Sequence, residues 1–228
     1  MKEVQSLVVD DNPNLATLSM PRLASVRKLE LADNEQLSDL SGLAGLVRAG
    51  EINIRNSSAF TDLHDLSGLK KVSSVIIFSN DGLVSLSGLE HIERLYSLVV
   101  WQNETLQSLA GLDNLRSVST LLDISDNYSL IDVTGLHSLE YVGLNFYIVQ
   151  NATLKSLGGL ENFHHLGAEA NAYEFMDAYF AVYKNRSLPT CEAHRILSGV
   201  TFDVPEYHEV CIYDNRPDSC EEIPCDEF

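Results

Sequence analysis

Apolar residues recur along this chain in pairs two positions apart: Leu7/Val9, Leu29/Leu31, Ile52/Ile54, Val75/Ile77, Leu98/Val100, Leu122/Ile124, Phe146/Ile148, Phe180/Val182 and Val210/Ile212. A spacing of two places both members on one face of a β-strand. Three residues after each pair comes one polar slot, filled by Asn12, Asn34, Ser57, Asn80, Asn103, Asn127, Asn151, Asn185 and Asn215 at intervals of 22, 23, 23, 23, 24, 24, 34 and 30 residues. Apolar residues return three and six places beyond the slot, as in Leu37/Leu40 and Leu106/Leu109, and a Gly-Leu pair follows at Gly42, Gly68, Gly88, Gly111, Gly135 and Gly159. A single coil of this length cannot bury its own apolar face, whereas stacked coils about 4.8 Å apart pair their strands in parallel and share one core. The period therefore predicts a right-handed parallel β-helix, a solenoid of about nine leucine-rich coils with one main strand per coil, roughly 40 Å long.

The slot is explained if it points inward at a bend. An asparagine amide carries donors and an acceptor, and can satisfy backbone groups that the bend removes from water; Ser57 can do only part of this. Four slot residues begin glycosylation sequons, at Asn103, Asn127, Asn151 and Asn185, but a buried amide cannot carry a glycan. Asn56, one place off the ladder, is the acceptor left, and Asn56→Ala is expected to cost almost nothing. The glycines are read as the places where the chain bends close to the coil beneath. The ends depart from the pattern: Met20-Pro21 replaces Gly-Leu in the first coil, coil three carries extra residues at Asp62 to Asp65, and insertions follow at Gly167 to Asp177 and at Cys191 to Thr201. Residues 1–166 are read as the repeats, and residues 167–228 as degenerate coils and a cysteine-containing cap of the same domain.

Charge narrows the partners. The 228 residues hold 33 acidic and 15 basic side chains, a net charge of −18, which repels nucleic acid and anionic membranes and leaves either a solvated acidic surface or a cationic partner. No run of 18 apolar residues is present, so no transmembrane segment is expected. Met1-Lys2-Glu3-Val4 leads directly into a repeat without a signal-like apolar stretch, while Cys191, Cys211, Cys220 and Cys225 cluster near the end. The expectation is a mature fragment of a secreted or cell-surface protein, its terminal coils stapled by disulfides.

The run Leu98-x-Val100-x-x-Asn103-x-x-Leu106-x-Ser108-Leu109-x-Gly111-Leu112 resembles the receptor L-domain family, because the leucine after the asparagine comes at three rather than two residues. The resemblance covers roughly residues 4 to 166. It implies a compact one-strand-per-coil β-helix of the kind used in ligand-binding ectodomains and exported bacterial proteins. Asn185-x-x-Leu188-Pro189-Thr190-Cys191 with a later Cys220 is similar to the ending of the bacterial members. With the outward position of Cys211, that ending implies pairing of Cys191 with Cys220 and of Cys211 with Cys225, out of three possible connectivities.

Catalytic chemistry is sparse. The histidines His91, His137 and His164 fall on connecting segments, adjacent His164 and His165 point apart on an extended chain, and no metal or phosphate motif occurs. No cofactor and no metal is expected. A β-helix carbohydrate-active enzyme is the alternative and would need converging carboxylates, for which the outward strand positions offer Glu30, Glu51 and Asp123. Glu30 and Glu51 lie among Lys28, Asn53 and Arg55 and read as a salt-bridged patch. The outward columns then turn apolar and aromatic, with Ile76, Phe78, Val99 and Trp101, bordered by Asp123, followed by Tyr147, Val149, Tyr179, Tyr183 and Tyr213. Such a band on a sheet face marks an interaction site, unless the inserted segment covers it. The sequence thus predicts recognition of a protein or glycan ligand, with a passive spacer or self-association module as the other alternative.

Overall fold

A computed structural model describes residues 3–167, 178–202 and 208–225. The chain forms a parallel β-solenoid of about seven turns with few helices and two disulfides. Its main sheet is a path of parallel strands in chain order: Glu3–Asp10, Ser25–Ala32, Arg48–Arg55, Lys71–Phe78, Arg94–Trp101, Ser117–Ser125, Asn145–Val149, Ala178–Tyr183 and His208–Tyr213. The count of nine regular coils is not reached. The last two strands continue the sheet, but the segments leading into them are longer and include residues 168–177 and 203–207, outside the described residues. The insertion expected at Gly167 to Asp177 therefore also lies largely outside them.

Register follows the apolar pairs. Leu29 pairs with Ile52, Ile52 with Val75, Val75 with Leu98 and Leu98 with Leu122, so each inward column is a stack of aliphatic side chains that are 0% exposed. The residues three and six beyond the slot, such as Leu37/Leu40 and Leu106/Leu109, close the core from the other side. Toward the C-terminal end phenylalanines replace leucines, and Phe146 stacks on Phe163 at 4.8 Å and on Phe180 at 5.2 Å. In the first coil Leu7, Val9, Leu15 and Leu18 are only partly buried, because no described layer lies beneath them.

The slot residues form a continuous ladder. In each step the side-chain oxygen accepts the backbone N–H of the preceding slot residue, and the amide nitrogen of Asn34, Asn80, Asn103, Asn127 and Asn185 donates to two strand carbonyls. Asn103 Oδ1 accepts from Asn80 N at 3.0 Å, while its Nδ2 donates to Ile77 O at 3.1 Å and Trp101 O at 3.0 Å. Asn34, Asn80, Asn103, Asn127, Asn151, Asn185 and Asn215 are all buried, which closes the four ladder sequons to glycosylation in the folded chain. Asn12 departs from this expectation: it is exposed, since no described coil lies beneath it, and its ladder bonds are those to Asn34 and to Asp10 O.

Ser57 makes the weak step. Its hydroxyl accepts from Asn34 N at 3.4 Å, against 2.9 to 3.2 Å elsewhere along the ladder. Its single proton goes to Arg55 O, so it makes no counterpart of the bond that Asn80 makes to Ile54 O. Ser57→Asn is expected to raise stability by about 1 kcal/mol and the melting temperature by roughly 2–4 °C. A lower melting temperature would mean that this step has no room for the longer side chain.

The residue before every slot adopts left-handed backbone, with φ between 47° and 57° at Asp11, Asp33, Asn56, Ser79, Gln102, Asp126, Gln150, Lys184 and Asp214. The reversal aims its N–H at the next strand's last carbonyl, as in Asn56 N to Phe78 O and Gln102 N to Ser125 O, both 3.1 Å. Asparagine and aspartate tolerate this conformation better than alanine. Asn56 is therefore not an indifferent position, contrary to expectation, and its Nδ2 also donates to Asp33 at 2.8 Å.

The C-terminal cap was legible only in part. Cys191–Cys220 and Cys211–Cys225 are both bonded, in the pairing implied by the family-like ending. The segment from Cys191, read as an irregular excursion, instead opens within an α-helix, Thr190–Leu197, which buries Ala193 and Ile196. The returning tail bridges Ile223 to Ile212 in antiparallel fashion. Among the described residues no helix is long and apolar enough to cross a membrane.

Candidate functional site

Parallel one-to-one register turns every outward position into a column across the sheet. Four residues before the slot the column reads Val8, Glu30, Asn53, Ile76, Val99, Asp123, Tyr147, Ala181, Cys211; two before it reads Asp10, Ala32, Arg55, Phe78, Trp101, Ser125, Val149, Tyr183, Tyr213. The face divides into three zones.

The first zone is ionic. Arg55 reaches Asp33 at 2.8 Å, Asp10 at 3.7 Å and Glu30 at 3.8 Å, and Lys28 pairs with Glu30 at 2.7 Å. The salt-bridged reading of Glu30 and Lys28 thus has its geometry. Glu51 lies beside Lys28 in the register. Asp123 does not converge with them: Asn53, Ile76 and Val99 separate it from Glu30, four strand spacings or roughly 19 Å.

The second zone is the aromatic platform. Phe78 and Trp101 stand on paired positions of adjacent strands with ring centroids 5.2 Å apart and planes tilted by 39°. Trp101 remains 40% exposed, and Ile76 and Val99 beside the pair are half-buried. Trp101 Nε1 donates to Asp126 Oδ2 at 2.7 Å, and Asp126 Oδ1 accepts from Gln150 Nε2 at 2.6 Å and from the Tyr128 hydroxyl at 3.0 Å. That hydroxyl bond to a carboxylate raises the Tyr128 pKa. Three donors therefore fix one carboxylate, which fixes the indole edge while leaving its face open. Sequence columns found Phe78 and Trp101 but missed Asp126, Tyr128 and Gln150, which lie past the strand end. The preference for Asp or Asn just before the slot was the available signal.

The third zone differs from expectation. Val149 is 7% exposed and Ala181 and Cys211 are buried with it, in a second apolar cluster packed by Tyr147, Tyr183, Tyr213 and Cys225. Val149 is thus not a contact residue on an open face, because it is packed in this cluster, beside its register partner Tyr183. Tyr183 and Tyr213 stack at 4.6 Å, nearly parallel. Asp123 lies at the border between platform and tyrosines; it is largely buried, burial raises its pKa, and a very short hydrogen bond from the Ser125 hydroxyl opposes that rise. Among the described residues, three buried acceptors without a hydrogen-bond partner lie on this outward face: Asn53 Oδ1, Asn145 Oδ1 and Glu209 Oε2.

Elsewhere, His91, His137 and His164 are exposed. Cys191, Asp218 and Cys220 come together with metal-like spacing, yet both sulfurs are consumed by the disulfide. Asp218 is used by the backbone N–H groups of Cys191 and Cys220, which hold its pKa below the usual carboxylate range. No family model matches this chain, and no curated protein matches it either.

Proposed function

We propose that this chain is an extracellular or cell-surface recognition module, a leucine-rich solenoid of receptor L-domain type, that binds a protein or glycan on the outward face of its parallel sheet. The Phe78–Trp101 platform carries the reading. A tryptophan that is both ring-stacked and edge-anchored presents a large apolar face at little conformational cost, which is what a binding anchor requires. Ile76 and Val99 widen the platform, and Arg55 on one side and Asp123 on the other supply polar edges. Two disulfides agree with an exported protein.

The test is a glycan array and a surface-protein screen with the whole chain, followed by Trp101→Ala. Loss of a central aromatic anchor is expected to cost 2 kcal/mol or more of binding, about thirtyfold in affinity. The melting temperature should stay nearly unchanged, because the ring points away from the core and Asp126 keeps two of its three donors. Unchanged affinity for the ligand found would move the binding face away from the platform. A large loss of stability would make Trp101 a structural residue.

A further inference from the structure

The tyrosine zone contains a pocket of about 430 Å³, lined by Tyr147, Tyr179, Ala181, Tyr183, Cys211 and Cys225. Its origin is one small residue. Ala181, itself buried, sits between Tyr147 and Cys211 across the sheet and between Tyr179 and Tyr183 along its own strand, so the room that a larger side chain would fill is walled by these neighbours. The volume is within the range of small-molecule sites, about 300–1,000 Å³.

We propose that this pocket binds an organic ammonium cation, specifically a quaternary ammonium group, with the tyrosine rings as walls and Asp123 and Glu209 as counter-charges. Ring faces attract weakly hydrated cations through their quadrupoles but cannot replace the water shell of a small metal ion, which selects the organic class. Asp123 pairs with Tyr147 in the register, and Glu209 pairs with Tyr179. Glu209 Oε2 and Asn145 Oδ1 are buried acceptors without partners, one strand to either side of Tyr179. Among the described residues no lysine or arginine lines the cavity. Burial is the main reason the Tyr147 phenol is pushed up to about 12, and the nearby carboxylates of Asp123 and Glu209 add to it. Lys184 Nζ lies 5.6 Å from the Tyr183 centroid and Tyr213 stacks on the same ring, so Tyr183 is already engaged and the ligand falls to the other walls. At long range the net charge of −18 draws cations toward the surface.

The proposal rests on the outward face being a ligand face, but of the platform residues it shares Asp123 alone, which none of its tests alters, and it needs no macromolecular ligand. The whole chain is titrated by calorimetry with choline and with 3,3-dimethylbutan-1-ol, its neutral isostere. Saturable choline binding is expected, with the isostere weaker by about tenfold or more. Ala181→Leu, which fills the cavity while leaving every tyrosine and carboxylate in the sequence unchanged, should abolish it; Glu209→Gln should weaken it severalfold; the exposed Tyr96→Ala should leave it unchanged. A trimethyllysine peptide should bind more tightly than phosphocholine, because the acidic surface repels the phosphate. Equal affinity for choline and its isostere, or no saturable choline binding by the folded wild type, overturns the proposal, and both comparisons hold even if Ala181→Leu does not fold. A negative result here leaves the Trp101 experiment standing, and loss of the platform ligand in that experiment says nothing against the pocket.

Discussion

Gly111→Ala should destabilise the protein by more than about 4 kcal/mol, or prevent folding, as read by urea or thermal denaturation. Two independent obstacles meet at this position. The backbone has φ +107°, which L side chains rarely adopt, and an added Cβ would lie 2.1 Å from Leu86 O and 2.4 Å from Leu86 C. Both clashing atoms belong to the backbone of the coil beneath, so no rotamer change relieves them, and separating the coils would break the parallel ladder on either side. Gly45→Ala is the control: its nearest atoms would be 3.5 Å away and its φ is ordinary, so the change should be neutral or slightly stabilising. Equal effects at the two sites would show that the coils can slide apart to admit a methyl group.

The same glycines show how far the sequence could be read. Their recurrence announced a close approach between coils, and Gly42, Gly88, Gly111 and Gly135 each bring a virtual Cβ within 2.2 Å of a neighbouring backbone atom. The conformation was not legible, because Gly88, Gly111 and Gly159 take positive φ while Gly135 sits with ordinary φ inside the short 3-10 turn Thr134–Leu136. A periodic apolar pattern reports which way side chains point, and is silent about the sign of a backbone angle at a polar position. For that reason the left-handed column from Asp11 to Asp214 went unread, although Asp11, Asp33, Asn56, Asp126 and Asp214 are residue types that tolerate it.

The binding face was legible to the same depth. Spacing alone identified the outward columns and placed Phe78 against Trp101. It could not tell that Val149 is covered, because the cluster that buries it gathers side chains from later strands and Cys225 of the tail, folded back by Cys211–Cys225. Nor could it see that a small Ala181 among tyrosines makes a cavity, since that depends on neighbours from three different strands. Local periodicity determines the columns, and long-range return of the chain determines which of them meet solvent.

Asn103→Ala should cost about 3 kcal/mol, the upper end of the range for stranding buried polar groups. The substitution removes the acceptor of Asn80 N and the donor to Ile77 O, and both orphaned groups belong to the preceding coil. Asn103 itself is 0% exposed, so water cannot take its place without opening the ladder. Its own N–H still donates to Asn127 Oδ1 at 3.1 Å although the Nδ2 bond to the same oxygen at 3.2 Å is lost, so the larger damage falls on the interface with the preceding coil. The expected signature is therefore local: in hydrogen exchange the amide of Asn80 should lose protection, while that of Asn151, two steps farther along the ladder and bonded to Asn185 at 2.9 Å, keeps it. Asn103→Ser, which retains the acceptor but not both donations, should fall between wild type and alanine, as Ser57 does naturally. If Asn103→Ala melts within about 0.5 kcal/mol of wild type, the range of ordinary surface substitutions, the amides are not what ties one coil to the next and the aliphatic stack alone holds the solenoid together.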